Sequence, residues 1–206
     1  MIVAIVIVLT TLVVLVGLFL LQFYRDPERT IPQGNNIVSP ADGTVIKILR
    51  IDKKTAEIEK GLLGKIRVLT KDISDSCYLV SIFMSPLDVH VNRAPITGTV
   101  RKIKYSKGTF FNARDFERSL ENEHNEILIE NKKIGKIKTI QISGFLARRI
   151  RCNLKENQHV DKGARIGKIL LGSQATLIMP VKNITILVQE GQKVLAGSSL
   201  IATVKK

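Results

Sequence analysis

The chain has 206 residues, with 32 lysines and arginines against 18 aspartates and glutamates, a formal net charge of +14 at pH 7. Three tyrosines, no tryptophan and no interleaving of aromatic with basic residues argue against a stacking platform for single-stranded nucleic acid. Only two cysteines occur, Cys77 and Cys152, with no Cys or His near either at metal-ligand spacing, so no metal site is expected and both read as reduced, buried apolar side chains.

The first 24 residues hold no charged side chain, and Arg25 is the first. As a helix, residues 2–24 would span roughly 34 Å, enough for the hydrocarbon core of a bilayer. A cleaved signal peptide fits poorly, because there is no basic leader, the apolar run is too long and no small-residue cleavage site follows. Residues 1–24 are therefore expected to form a transmembrane helix, with Gln22, Phe23 and Tyr24 at headgroup depth. Arg25, Arg29 and the later lysines follow the span, so the positive-inside bias puts residues 25–206 on the cytoplasmic side of a cell (inner) membrane. The remainder is one domain by length. Residues 131–155 carry eight basic residues and no acidic one. Beside a bilayer, an anionic lipid surface is the expected partner of such a field, at about 1 kcal/mol per near-surface charge. Nucleic acid is not the expected partner, and a merely solvated basic face is the plainer reading of the same residues.

Strand-like runs follow at 44–51, 66–70, 77–84, 99–105, 126–130, 134–143, 148–154, 165–171, 175–179, 184–189 and 199–204. Lys136–Ser143 alternates apolar with polar as a half-buried strand does. Only residues 112–124 read as a short helix, so the soluble part is mainly β. Two echoes recur. Pro40-Ala-Asp-Gly-Thr-Val-Ile-Lys-Ile48 returns 55 residues later as Pro95-Ile-Thr-Gly-Thr-Val-Arg-Lys-Ile103, and His159–Lys168 returns as Lys193–Ala202. These segments resemble pieces of the biotinyl/lipoyl-type hammerhead, and a β-barrel/sandwich hybrid with pseudo-symmetry is the expected fold.

Gly172-Ser173 stands out chemically. A serine hydroxyl can attack the carbonyl before it and turn the amide into an ester. Loss of the serine Cα proton then breaks that ester and leaves a dehydroalanine, which hydrolyses to a pyruvoyl group on a new N-terminus. Glycine at 172 admits close approach and unusual dihedrals. A Gly-Ser pair alone reads as a turn.

Four motifs stand in order: Phe23-Tyr-Arg-Asp-Pro-Glu-Arg29, Ser39-Pro-Ala-Asp-Gly-Thr-Val45, Phe83-Met-Ser-Pro-Leu-Asp-Val-His-Val-Asn-Arg-Ala-Pro95 and Leu171-Gly-Ser173. In this order the chain closely resembles the phosphatidylserine decarboxylase proenzymes, especially the short membrane-associated type. The resemblance implies self-cleavage between Gly172 and Ser173 into a β chain, 1–172, and an α chain, 173–206, that stay together as a heterodimer. It implies a covalent pyruvoyl cofactor derived from Ser173, which condenses with the amine of phosphatidylserine and takes up the electrons released as carbon dioxide leaves, giving phosphatidylethanolamine.

Self-cleavage needs a base for the Ser173 hydroxyl and a carboxylate to orient that base. His90, with an intrinsic pKa near ~6.5, is the natural base. Asp42, in a Pro-x-Asp-Gly turn, is the orienting carboxylate, and Asp88 could serve instead or beside it if it shares the strand face of His90. His124 and His159 read as solvated. Some family members carry a second histidine three positions after the first; here that position is Arg93. Arg93 could bind the substrate carboxylate or phosphate, and Arg148 or Arg149, of which at most one would face the same pocket, are further candidates. A hammerhead carrier modified on Lys182, in Met179-Pro-Val-Lys182, and a basic binding domain are the rival readings, and neither gives Asp42 or His90 a task.

Overall fold

A computed structural model of the chain describes residues 1–52, 69–145, 149–170 and 172–205. The N-terminal run forms helix α1 (Ile2–Tyr24), long and apolar enough to cross a membrane and exposed along nearly all its length. The rest is mainly β. Its strands are β1 (Asn36–Val38), β2 (Gly43–Asp52), β3 (Ser76–Met84), β4 (Val91–Arg93), β5 (Gly98–Ser106), β6 (His124–Asn131) and β7 (Gly135–Ile142). After these come β8 (Ile150–Cys152), β9 (His159–Val160), β10 (Arg165–Ile169), β11 (Ser173–Pro180), β12 (Ile184–Ile186), β13 (Lys193–Val194) and β14 (Leu200–Val204).

An eight-stranded sheet runs in the order β13-β2-β3-β11-β7-β6-β5-β9, with three-stranded sheets β1-β14-β12 and β4-β10-β8 beside it. Each pairing between these strands is antiparallel. Strand β11 lies at the heart of the large sheet, hydrogen-bonded to β3 on one side and β7 on the other. Seven of its eight residues, Ser173 to Met179, are buried.

The echoes in the sequence are echoes in space. Thr44 and Val45 of β2 face Phe83 and Ile82 before the register shifts, and Thr99 and Val100 of β5 face Glu130 and Ile129 before the same shift. Strand β13 joins β2 at Gly43 as β9 joins β5 at Gly98. Glu190 Oε1 accepts from the Ile48 amide and Glu156 Oε1 from the Ile103 amide, both at 2.8 Å. The halves also interlock, with the Val38 amide donating to Pro95 O and the Arg93 amide to Pro40 O. Glycine recurs in the echo because a Cβ at Gly43 or Gly98 would overlap the carbonyl of Phe83 or Glu130 across the ladder.

Several sequence expectations shift. Residues 112–124 yield only the four-residue helix α2 (Phe116–Ser119), capped by the Asp115 side chain, and His124 already begins β6. Leu69 and Thr70 are helical rather than extended, while 66–68 lie outside the described residues. Strand β7 is buried on both faces rather than one: Ile137 enters the main core with Leu177 and Ile129, whereas Ile140 and Ile142 join a second cluster with Leu79, Phe116 and Ile178. Its Lys138 is only 2% exposed, because the ammonium donates to Glu126 Oε2 and Leu69 O, both at 2.7 Å, and lies 2.8 Å from Asp72.

Lys138→Ala would leave the buried Glu126 carboxylate with the longer Lys104 contact at 3.5 Å, and a loss of about 3 kcal/mol is expected from the denaturation midpoint. The double change Lys138→Met with Glu126→Leu should restore most of it, since a packed apolar pair replaces two ions. Recovery no better than the single variant would show that the pair is needed for more than neutralisation.

Candidate active site

Ser173 opens β11 opposite Met84, fully buried, with its hydroxyl on Met84 Sδ at 3.6 Å. Gly172 before it has φ +64°, a left-handed conformation that glycine adopts freely. The carbonyl between the two lies against Gly144, where an added Cβ would overlap the Gly172 oxygen. A cleft of about 380 Å³ lined by Phe83, Pro86, Asn112, Phe145 and Gly172 opens at this bond. Most of its wall is apolar.

His90 is 2% exposed. Its Nδ1 lies 2.8 Å from the Asp88 carbonyl oxygen, which as an acceptor fixes the proton on Nδ1, while the buried Nε2 has no hydrogen-bond partner among the described residues. Burial lowers its pKa below the ordinary 6.5, and the Arg25 charge adds to this, against the Asp88 carbonyl and carboxylate. The His90 carbonyl accepts from Ile169 N at 3.3 Å, so the imidazole belongs to the segment beside β10, the strand that leads into Gly172-Ser173. No hydrogen bond joins His90 to Ser173. What the fold provides is a neutral, dry imidazole with a free acceptor nitrogen, on a neighbouring segment.

The carboxylates differ from expectation. Asp88 does not share a strand face with His90: residues 85–88 turn, and its side chain caps that turn by accepting from Ser85 N and Oγ at 2.8 and 2.7 Å. Asp42 does not touch the imidazole either. Its Oδ1 accepts from the Ala196 amide at 2.7 Å and its Oδ2 pairs with Arg29 at 2.7 Å. Burial raises its pKa above the ordinary 3.8, opposed by the Ala196 amide and Arg29. The orienting acceptor of His90 is therefore a backbone carbonyl.

Arg93 is committed as well. It is 5% exposed, and its fork donates to Gly163 O, Asp26 Oδ1 and Pro27 O, all at 3.0 Å, leaving little for a substrate. Arg149 is exposed just before β8, its carbonyl accepting from Leu170 N. Arg148 lies outside the described residues. Of the other histidines, His159 is exposed, but His124 is largely buried with Nδ1 on Asn122 O at 2.8 Å. Cys77 is buried, its thiol pushed up to about 11 by desolvation, while Cys152 is half-buried. Among the described residues no group of His, Cys, Asp and Glu could hold a metal ion. Sequence reasoning gave Gly144, Phe83, Asn112 and Phe145 no role in the site. Phe83 stands at the head of a quoted motif, and Gly144 comes directly after a strand-like run.

A buried serine at the head of a central strand, preceded by a glycine that lines a cleft and with a free imidazole nitrogen on a neighbouring segment, is a layout suited to self-processing. The family model described as phosphatidylserine decarboxylase matches residues 16–202. The chain is 44% identical over 190 residues to a putative archaetidylserine decarboxylase proenzyme of Methanocaldococcus jannaschii, covering 90% of this chain and 89% of that one. It is 43% identical over 187 residues to a phosphatidylserine decarboxylase proenzyme of Syntrophus aciditrophicus (90% and 80% covered) and 40% over 185 to that of Chlorobaculum tepidum (89% and 77%). The chain belongs to the phosphatidylserine decarboxylase family, carboxy-lyases made as proenzymes.

The free Nε2 has a pH consequence. Acting as a base, His90 must be neutral, so the rate of any step it serves should rise with pH and level off with a half-point below 6.5. Precursor processing followed on gels between about pH 5 and 8 reads this directly, and a half-point at or above 6.5 would contradict the buried setting. The same burial makes the stability contributed by neutral His90 fully present above 6.5 and lost as pH falls below it, because the unfolded chain takes up the proton first.

Proposed function

We propose that this chain cuts itself between Gly172 and Ser173 and then removes the carboxyl group from the serine headgroup of a membrane phospholipid, phosphatidylserine, to give phosphatidylethanolamine. The observation that carries this reading is the Gly172-Ser173 bond itself, held at the buried start of β11 with its carbonyl packed on Gly144 and an apolar cleft opening on Gly172. The relatives named for archaetidylserine and for phosphatidylserine share the serine headgroup, which is the part a site at Gly172 would need to recognise.

In this reading Ser173 Oγ is the nucleophile and His90 Nε2 takes its proton, with the ring held by the Asp88 carbonyl. Asp88 and Asp42 act by holding the loops around His90 rather than by touching it. The residues suit the family's pyruvoyl group: it would form in place at Ser173, and the buried Nε2 offers a proton-transfer partner beside it. That group supplies an electron sink for loss of the carboxylate. The chain's own part is to exclude water with Phe83, Pro86 and Phe145 and to move protons at His90. Arg149, exposed on the segment that bonds Leu170, is the proposed contact for the headgroup's anionic groups; Arg148 beside it is a second candidate, and Arg93 serves as scaffold.

Helix α1 would anchor the enzyme in the cell membrane, with the basic domain on the cytoplasmic side against anionic lipid. The β chain (1–172) and α chain (173–206) would remain one heterodimer. The paired echoes support a hammerhead-like hybrid barrel as the ancestry of the domain.

Intact mass of the membrane-expressed protein tests the proposal. Two chains of about 19 and 4 kDa are expected from a 22.9 kDa precursor, because 34 residues follow the cut. The smaller chain should gain the mass of hydrogen on borohydride treatment, and vesicles containing phosphatidylserine should accumulate phosphatidylethanolamine. A single unreactive chain of full mass would sink the proposal.

A further inference from the structure

The heptad Phe23-Tyr-Arg-Asp-Pro-Glu-Arg29 is conspicuous in the sequence but has no task in the reaction as described so far. It touches the site at two points. Phe23 is the buried residue of α1, 4% exposed, and its ring centroid lies 4.4 Å from that of His90 at a tilt of 42°. Six residues later Arg29 pairs with Asp42.

The end of the helix is fixed where it meets the domain. Gln22 Nε2 and Arg25 Nη2 both donate to the Leu87 carbonyl, at 3.3 and 3.0 Å, one residue from the Asp88 carbonyl that holds His90. Asp26 is then pinned by Arg93 and Arg165. Phe23 is thus clamped on both sides rather than resting on His90 by chance.

A histidine ring with one hydrogen bond still has freedom to rock about it. Nδ1 is tied and Nε2 is not, so packing against the ring face must set where Nε2 points. Phe23 supplies that face. We propose that Phe23 is a positioning residue of the active site, its ring carrying the end of the anchor helix onto His90 so that the imidazole is held dry and aimed for proton transfer. The inference rests on the reading of His90 as the proton-transfer group. It makes the membrane anchor part of the site's construction and not only a tether.

The charged groups that act on His90 are Asp88 on its own loop and Arg25 just after α1, while Lys168 of β10 lies over Tyr24, its ammonium 5.4 Å from that ring centre. None of them is altered by changing Phe23, so a shift in the pH profile reports on the cover itself.

The test uses the full-length chain in detergent micelles, with Phe23→Leu, Phe23→Val, Phe23→Ala and His90→Ala compared for precursor processing across pH. Phe23→Ala should process about 10- to 100-fold more slowly, the scale expected when a reacting group is misplaced by about an ångström. Its half-point should move up toward the ordinary histidine value as water reaches the ring. Phe23→Leu, which keeps an apolar cover, should return most of the rate and the low half-point, with Phe23→Val between. Should thermal melting show that Phe23→Ala does not fold, valine against leucine decides: a slower valine variant with a higher half-point supports the proposal. Wild-type rate and half-point across the folded variants overturns it, as does a slowed rate with the half-point unmoved throughout. His90→Ala separates the two claims. If it processes normally, the role of His90 falls; if it is inert while the Phe23 series is unaffected, only the positioning role falls.

Discussion

Ser173→Ala is expected to remain a single chain of full length and to show no decarboxylation at all. In the proposed mechanism the substitution removes the attacking oxygen and, with it, the source of the electrophile. Folding should survive. The hydroxyl makes one weak bond, to Met84 Sδ at 3.6 Å, and the backbone of β11 is held by ladders on both sides. Losing such a bond costs on the order of 1 kcal/mol or less. Size on a denaturing gel and loss of carboxylate from serine phospholipid are the two readouts. A Ser173→Ala chain that still splits would move the cut elsewhere and remove Ser173 from the mechanism.

Gly144→Ala is expected to block processing nearly as completely, although residue 144 bears no reactive group. A Cβ there would occupy the place of the Gly172 carbonyl oxygen. Backbone is on both sides of the clash, so neither rotamer change nor a flexible tip can relieve it. The carbonyl must swing away, and the line of attack from Ser173 is lost with it. Displacement on the ångström scale costs about 100-fold in a positioned reaction, and this displacement is larger. Processing over hours on a gel, with the far-ultraviolet spectrum as a check on folding, measures it. Cutting at the wild-type rate would mean that the carbonyl does not react from its place beside Gly144.

Much of the fold was legible because it is written twice. The 55-residue echo marks Gly43 and Gly98, and the structure gives both the same ladder, the same register shift and the same close carbonyl. The apolar run before Arg25 needed only its length. Asp42 shows what composition and motif hide. Its Oδ1 holds the Ala196 amide just as the Oγ1 of Thr97, its mate in the echo, holds the Lys162 amide. Extending the repeat to both loops would have revealed a turn clamp where a Pro-x-Asp-Gly motif invites a catalytic reading. Asp88 misses the strand face of His90 for a local reason, since the chain turns at Pro86 where a shared face requires extension. Nothing local announces the pairing of Asp26 with Arg93 and Arg165, or the packing of Phe23 on His90. Those contacts join residues more than sixty positions apart and exist only once the sheets have closed.

The central seat of β11 decides what a nick at its first residue can do. The last 34 residues hold the middle of one sheet through β11, border it through β13, and fill another sheet through β14 between β1 and β12. A severed peptide bond would leave that tail woven through its parent like a thread through cloth. Dissociation would then require unravelling the whole domain, so each molecule would keep for life the reactive end that it made.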